Sequence, residues 1–415
     1  MENLKITLHG NIFGQDGYSS HTKNLFNALA KQEGVDMKLN TRLVQDWERK
    51  ANDAEFKAIS NKEIKEDWNI IITVPHMWKQ FIGFGKNACY CVWEGDTCPA
   101  SWIDEFLNPD VDLILVPSKH TAKAIWNMYW EGSEYQNDYM NKIALEHKPD
   151  RCFWEKVKVI PHGVDKNIFY SQRKKVENDG SNVTQLKTRN NAEVEDKTEQ
   201  RSVVVDNHAD NQFTFICNKG WRGTSWDRGG VQYLIKAFAE EFKKDENVKL
   251  IIKLNPAYIN PQIIGQSIDA LNLPEDRPPI NINCDFLPKE KLNELYNQCD
   301  CYVCATRAES FDLGTAEAMA CGLPCLTSGY GGQIEHMIEN KNALFFDYDL
   351  QEVKEDLMYE SISWCIPKMA DIRKKMRWMF EHQKEIKQMG INAEEYINNN
   401  FTWEHSASKI INLLK

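Results

Sequence analysis

A polar, charged stretch from about Ser171 to Asn211, poor in aromatic residues, divides this chain into two series of short apolar runs that alternate with helical patterns. The first series is Leu4–Leu8, Trp68–Val74, Ala88–Trp93, Leu113–Val116 and Val157–Ile160, with helical stretches at about Ser19–Lys31, Ala100–Leu107 and Thr121–Trp130. The second is Phe213–Cys217, Val248–Leu254, Asn281–Asn283, Cys301–Ala305, Pro324–Thr327 and Ala343–Phe346, with helices over Gly230–Phe242, Lys289–Gln298 and the segment carrying Glu317. Apolar runs of this length, spaced by amphipathic helices, are buried parallel strands of an α/β fold. At 415 residues the chain is too long for one typical domain. Two doubly wound domains are therefore expected. The stretch 171–211 cannot bury enough apolar surface to order itself and reads as an inserted loop or linker. The amphipathic segment Glu404–Leu414 must dock its apolar face elsewhere on the protein.

A formal net charge of −11 argues against a broad nucleic-acid surface, although it does not exclude a local basic cleft. No apolar run approaches the roughly 18 residues of a membrane span. The opening Met1–His9 reads as a first strand and not as a secretion signal. The twelve cysteines are then reduced thiols of a cytoplasmic protein. Peripheral membrane contact is compatible with all of this.

The segment Ala308-Glu-Ser-Phe-Asp-Leu-Gly-Thr-Ala-Glu-Ala-Met-Ala-Cys-Gly-Leu-Pro324 carries the most chemistry. Glu309 ends a strand-to-helix loop, and Glu317 lies in the first turns of the helix. Between them, Asp312, Leu313, Gly314 and Thr315 bracket a helix N-terminus, whose unpaired N–H groups attract an anion such as phosphate. A diphosphate in the middle with a polyhydroxyl group on each side has the shape of a nucleotide-sugar. Upstream, Arg222 and Arg228 lie between a strand and a helix. From there both are expected to reach a diphosphate with charge-assisted hydrogen bonds, and the alternative is pairing with surface acids such as Asp227. Gly14-Gln-Asp-Gly17 follows the first strand and reads either as a plain loop or as one whose Gly14 and Gly17 bring backbone up to the diphosphate and sugar, with Tyr18 or Ser19 touching donor or acceptor. His76, Glu94 and Asp96 lie just past strand ends, which line the crevice of open α/β sheets. Glu94 orients an acceptor hydroxyl, stabilises positive charge on the sugar, or serves only in structural hydrogen bonding.

Four segments in order resemble the retaining glycosyltransferases of family 4, which have the GT-B architecture: the Glu309–Pro324 paired-glutamate segment, Val159-Ile-Pro-His-Gly-Val-Asp165, Gly230–Phe238 and Phe401-Thr-Trp-Glu404. The resemblance implies two facing Rossmann-like domains with parallel sheets. Residues 1–165 would form an acceptor domain and 212–399 a donor domain, with a helix at about 400–415 crossing back. It implies that Glu309 contacts donor-sugar hydroxyls, that Glu317 binds ribose hydroxyls, and that Val159–Asp165 is the hinge between domains. Near the base, Phe286-Leu287-Pro288 would pack, or Phe286 is simply core. Three departures stand out. Asp312 occupies a usual glycine position, Arg222 and Arg228 stand for an Arg–Lys pair, and Glu94 stands where many members carry His.

The expected activity is retaining transfer of a sugar from a UDP- or GDP-linked donor to the hydroxyl of a glycan, a lipid or another acceptor. No obligatory cofactor or metal is expected. Two sets of candidate metal ligands read otherwise: Asp347-Tyr-Asp349 falls in a surface loop, and Cys299, Cys301 and Cys304 flank or lie in a strand that sends Cys301 and Cys304 to opposite faces. His162 reads as structural, and His120 as a helix cap or surface residue. Trp78, Trp93 and Trp102 read as core. A nucleotide-sugar hydrolase or epimerase of the same fold, or a catalytically silent binding module, stays open.

Overall fold

The computed structural model describes residues 2–14, 16–41, 50–60, 64–129, 151–172, 212–223, 227–256, 261–353 and 362–415. The expected insertion lies outside them, apart from its first two residues. Two six-stranded sheets dominate. The first has the order β2-β1-β3-β4-β5-β6, built from β1 Leu4–His9, β2 Val35–Asn40, β3 Trp68–Ile72, β4 Lys86–Tyr90, β5 Leu113–Val116 and β6 Val157–Val159. The second has the order β12-β11-β10-β7-β8-β9, from β7 Phe213–Lys219, β8 Val248–Leu254, β9 Ile280–Asn283, β10 Cys301–Cys304, β11 Cys325–Ser328 and β12 Ala343–Phe346. Every pairing in both sheets is parallel. The architecture is two Rossmann-like α/β domains.

Alternation of apolar strands with one-sided helices builds a core on each face of each sheet. Helix α1 Gly17–Ala30 turns Leu25, Phe26, Ala28 and Leu29 onto the first sheet. On the second sheet, Cys301 faces one core and Cys304 the other, as strand alternation demands. Both thiols are buried.

Several elements escaped the sequence reading. Edge strand β2, Val-Asp-Met-Lys-Leu-Asn, is mostly half-buried, so its polar residues hid the pattern. An antiparallel hairpin, β13 Tyr348–Glu352 and β14 Ser363–Pro367, follows β12. Two helices, Met369–Glu381 and Gln383–Asn400, cover the second half. Asp347 precedes the hairpin, whereas Asp349 lies within β13 and not in a surface loop, and it pairs with Lys368 at 3.0 Å. No cluster of metal-ligating side chains occurs among the described residues. No helix among them is long and apolar enough to cross a membrane.

The last helix, Trp403–Leu414, returns to the first half. Thr402 caps it by accepting the His405 N–H, while the His405 ring accepts the Thr402 N–H. Trp403, Ala407, Ile410, Ile411 and Leu414 then complete the core beneath the first sheet, and Trp68 Nε1 donates to the Leu414 carbonyl at 3.1 Å. The 160–165 segment grips the start of this helix. Val164 N–H donates to Phe401 O at 2.8 Å, and a Cβ on Gly163 would lie 2.2 Å from the Trp403 nitrogen, so no side chain fits there. The rings of His162 and His21 pack against each other at a tilt of 42°, with centroids 4.2 Å apart.

Candidate active site

In an open α/β sheet, ligands bind where the strand order reverses, at the carboxyl ends of the strands. In the second sheet that point lies between β7 and β10, and in the first between β1 and β3. The two points face each other across a cleft of about 1070 Å³. Lys219 ends β7, and the loop after β10 carries Thr306, Arg307 and Glu309.

Helix Leu313–Ala320 begins at Asp312, whose backbone is left-handed at φ 67°. Aspartate tolerates this conformation better than most side chains, which accounts for an acid where the resembling family uses glycine. Asp312 Oδ1 accepts the Thr315 N–H at 3.1 Å, and its Oδ2 accepts the Thr315 hydroxyl at 2.5 Å. This corrects the expectation for Thr315. Its amide is occupied by the cap and its side chain is fully buried, which leaves the helix-start amides of Leu313 and Gly314 at the cleft.

A carboxylate at a helix start would repel an anion, and Lys219 offsets it. The Lys219 ammonium lies 2.7 Å from Asp312 Oδ1 and 3.0 Å from Glu309 Oε1. Burial works against its charged form, but the carboxylates of Asp312 and Glu309 outweigh burial and hold its pKa well above the ordinary lysine value. Glu309 Oε1 also accepts from the Thr306 hydroxyl at 3.1 Å.

Arg228 reaches across the cleft. Its Nε lies 3.3 Å from Glu94 Oε1 of the first half and its Nη1 lies 3.2 Å from Glu309 Oε2, while Nη1 also donates to Ala308 O at 2.8 Å. The turn holding Arg228 is pressed against the Glu309 loop. Gly230 has φ 66°, and a Cβ there would come within 1.9 Å of the Ala305 oxygen. Glu94 is braced from behind, since His120 Nε2 donates to its carbonyl at 2.9 Å. Burial lowers the His120 pKa and keeps the ring neutral. His120 is thus neither a cap nor a surface residue. Arg307, fully buried, ties the same loop to the hairpin through Cys365 O at 3.1 Å and Gln351 Oε1 at 3.3 Å.

Farther along the cleft, Glu317 pairs with Lys289 at 2.5 Å. Gly14, Gly17 and Tyr18 line the opposite wall, and Phe286, Leu287, Leu313 and Gly314 line the near one. Phe286 is 57% exposed, so it is no core residue. A smaller hollow of about 130 Å³ adjoins the cleft at the ends of β1, β2 and β3, sharing Asp16, Tyr18 and Ser19 with it. His9 is fixed there by Asn69 at 2.9 Å and Asn40 at 3.1 Å.

Three further expected residues sit elsewhere. Arg222 is exposed and does not line the cleft; Asp227 accepts both the Arg222 N–H at 2.6 Å and the Gly229 N–H at 2.8 Å, a turn that leaves the Arg222 side chain outside. His76 is exposed on the short helix Pro75–Gln80, away from the lining. Asp96 turns from the cleft, and its Oδ1 accepts the Ser363 N–H at 2.7 Å, joining the two halves. The basic groups of the lining that sequence reasoning missed include Lys219, Lys253 and Lys289. Lys219 ends the strand two residues past the run Phe213–Cys217, a signal that was available.

Residues 220–359 match the family model described as "Glycosyl transferases group 1". Alpha-maltose-1-phosphate synthase of Mycolicibacterium smegmatis is 24% identical over 187 residues, which are 45% of this chain and 44% of that protein, so the match spans under half of the relative's length. Among solved structures, sucrose-phosphate synthase from Thermosynechococcus elongatus aligns at a TM-score of 0.62 and 15% identity over 99% of this chain and 98% of that one. A glycosyltransferase from Rickettsia africae aligns at 0.59 and 14% over 100% and 98%. Anabaena HepE, solved with UDP-glucose, aligns at 0.56 and 14% over 99% of each chain. The chain therefore has the two-domain GT-B fold of these glycosyltransferase structures, with a glycosyl transferases group 1 segment in its second half.

Proposed function

We propose that this chain is a retaining glycosyltransferase that moves a sugar from a nucleotide-diphosphate sugar to an acceptor hydroxyl without an obligatory metal. The observation that carries this reading is the convergence of Lys219, Arg228 and the Leu313 and Gly314 amides, flanked by Glu309 and Glu317, at one switch point. Breaking the bond from sugar to diphosphate builds negative charge on the leaving group, and cations held in a largely buried cleft stabilise that charge most as it develops. Glu309 is the partner for donor-sugar hydroxyls and Glu317 for the ribose, each carboxylate accepting two hydrogen bonds. Both exchange part of their present ion pairing for the donor.

The acceptor enters from the first half, beside Tyr18 and Glu94, with the smaller hollow as its seat. For retention the acceptor hydroxyl attacks on the face from which the diphosphate departs, and the leaving phosphate takes the proton. The structure of HepE with UDP-glucose supports a UDP-type donor by analogy of fold. The test is product analysis with UDP- and GDP-sugars, with and without candidate acceptors. Transfer that needs an acceptor, keeps anomeric configuration and persists in EDTA is expected. Acceptor-independent donor loss would identify a hydrolase, and no donor consumption would identify a binding module.

A further inference from the structure

Lys253 lies at the carboxyl end of β8, in register with Asn218 of β7 and one strand removed from Lys219. It lines the cleft although the residue is only 4% exposed. Its ammonium donates to the Leu254 carbonyl at 2.5 Å, and among the described residues no carboxylate forms an ion pair with it. An ammonium carries three donors, so two remain. Burial lowers its pKa, while Cys284 and the exposed Asp285 act weakly in the other direction. A buried charge held by one carbonyl is costly unless something else completes its shell.

The surroundings say what that would be. Asn255 and Pro256 follow Lys253 in the lining, and the exposed ring of Phe286 with Leu287 forms an apolar wall on the same side. A flat ring fits against that wall. Of the groups suited to phosphate and sugar, Lys219 ends β7, Glu309 follows β10, and both Lys219 and Arg228 pair with Glu309, so they gather on the β7–β10 side. Lys253 is therefore at the end of the cleft left for the nucleoside.

We propose, building on the nucleotide-sugar reading, that Lys253 is a specificity-determining residue that donates to a carbonyl oxygen of the donor's base. Uracil and guanine carry such an oxygen where cytosine and adenine carry an amino group. An amino group facing the ammonium sets donor against donor and leaves the buried charge unsatisfied.

The test is calorimetric binding of UDP, GDP, ADP, CDP and inorganic pyrophosphate to the full chain and to Lys253→Met. Wild type is expected to bind UDP or GDP at least about 10-fold tighter than ADP and CDP. Lys253→Met is expected to lose about 10- to 100-fold on the preferred nucleotide while ADP and pyrophosphate move by no more than about twofold. Should Lys253→Met fail to fold, Lys253→Arg keeps the charge and the donors, and retention of the base preference is the expected result. Equal weakening of all four nucleotides and pyrophosphate would make Lys253 a phosphate contact, and an unchanged preference would make it structural; either overturns the proposal. A wild-type chain that binds no nucleotide overturns the nucleotide-sugar reading as well, whereas tight binding with an indifferent Lys253→Met overturns this proposal alone.

Discussion

Asp312 and Lys219 form a buried ion pair of 2.7 Å at the point where a helix start meets a strand end. The acid is bound to its position by the cap it makes, and the lysine lies between it and Glu309, which Arg228 also pairs with. Electrostatics that favour an anion at this helix start therefore depend on Lys219 and Arg228 together.

Replacing Lys219 by Met leaves the Asp312 and Glu309 carboxylates without that ammonium in a side-chain environment 1% and 14% exposed. Removing one partner of a buried pair costs about 3–5 kcal/mol. Urea denaturation of Lys219→Met is expected to show a loss of that order, together with loss of transfer activity. A stability change under about 1 kcal/mol would mean the pair is effectively solvated.

Arg228 and Arg222 separate a cleft role from a surface one. Arg228→Gln is expected to lower kcat about 100- to 1000-fold, the scale of removing one preorganised charge stabiliser. Arg222→Gln is expected to change kcat/KM by no more than about twofold. Equal loss in the two variants would return Arg222 to the site.

Gly230 carries a backbone that alanine adopts only with strain, at φ 66°, and alanine there would strike the Ala305 carbonyl. Gly230→Ala is expected to destabilise by about 3 kcal/mol or more, from left-handed strain and the displaced loop together. Because that loop leads to Glu309, activity should fall further than stability explains. Thermal unfolding and transfer rates measured on the same sample check both parts.

Acid should weaken the protein through its buried histidines. Burial depresses His162 and His336 to about 3, and His21 falls well below the usual value through burial and the neighbouring His162. The folded state thus binds fewer protons than the unfolded chain below about pH 6.5, so stability is full above that pH and declines as pH falls toward 3. Each of His162 and His336 should cost about 2 kcal/mol between pH 7 and pH 5. Urea titrations at the two pH values measure the loss, and His162→Asn should remove one histidine's share.

Strands that are apolar throughout were legible because burial on both faces leaves nothing to disguise them. β5 and β12 match their sequence ranges without change. β2 was hidden because an edge strand shares its residues with solvent, and the β13–β14 hairpin because its first strand alternates weakly. Glu309 and Glu317, expected from one compact local segment, and Arg228, expected from the strand-to-helix loop upstream, all line the cleft. Arg222 was misread because spacing along a turn does not reveal which way the turn points, and Asp227 decides that here. Asp96 was misread for a related reason: a strand end faces the crevice, but Asp96, six residues past the end of β4, bonds across to Ser363.

Trp403–Leu414 supplies part of the core beneath the first sheet. During synthesis the ribosome delivers β1 through β6 long before it delivers those side chains. The half made first must wait, with apolar surface open, until nearly the whole chain has emerged. A ribosome stalled between the two sheets would thus display an unfinished first domain, and chaperone demand should be greatest then.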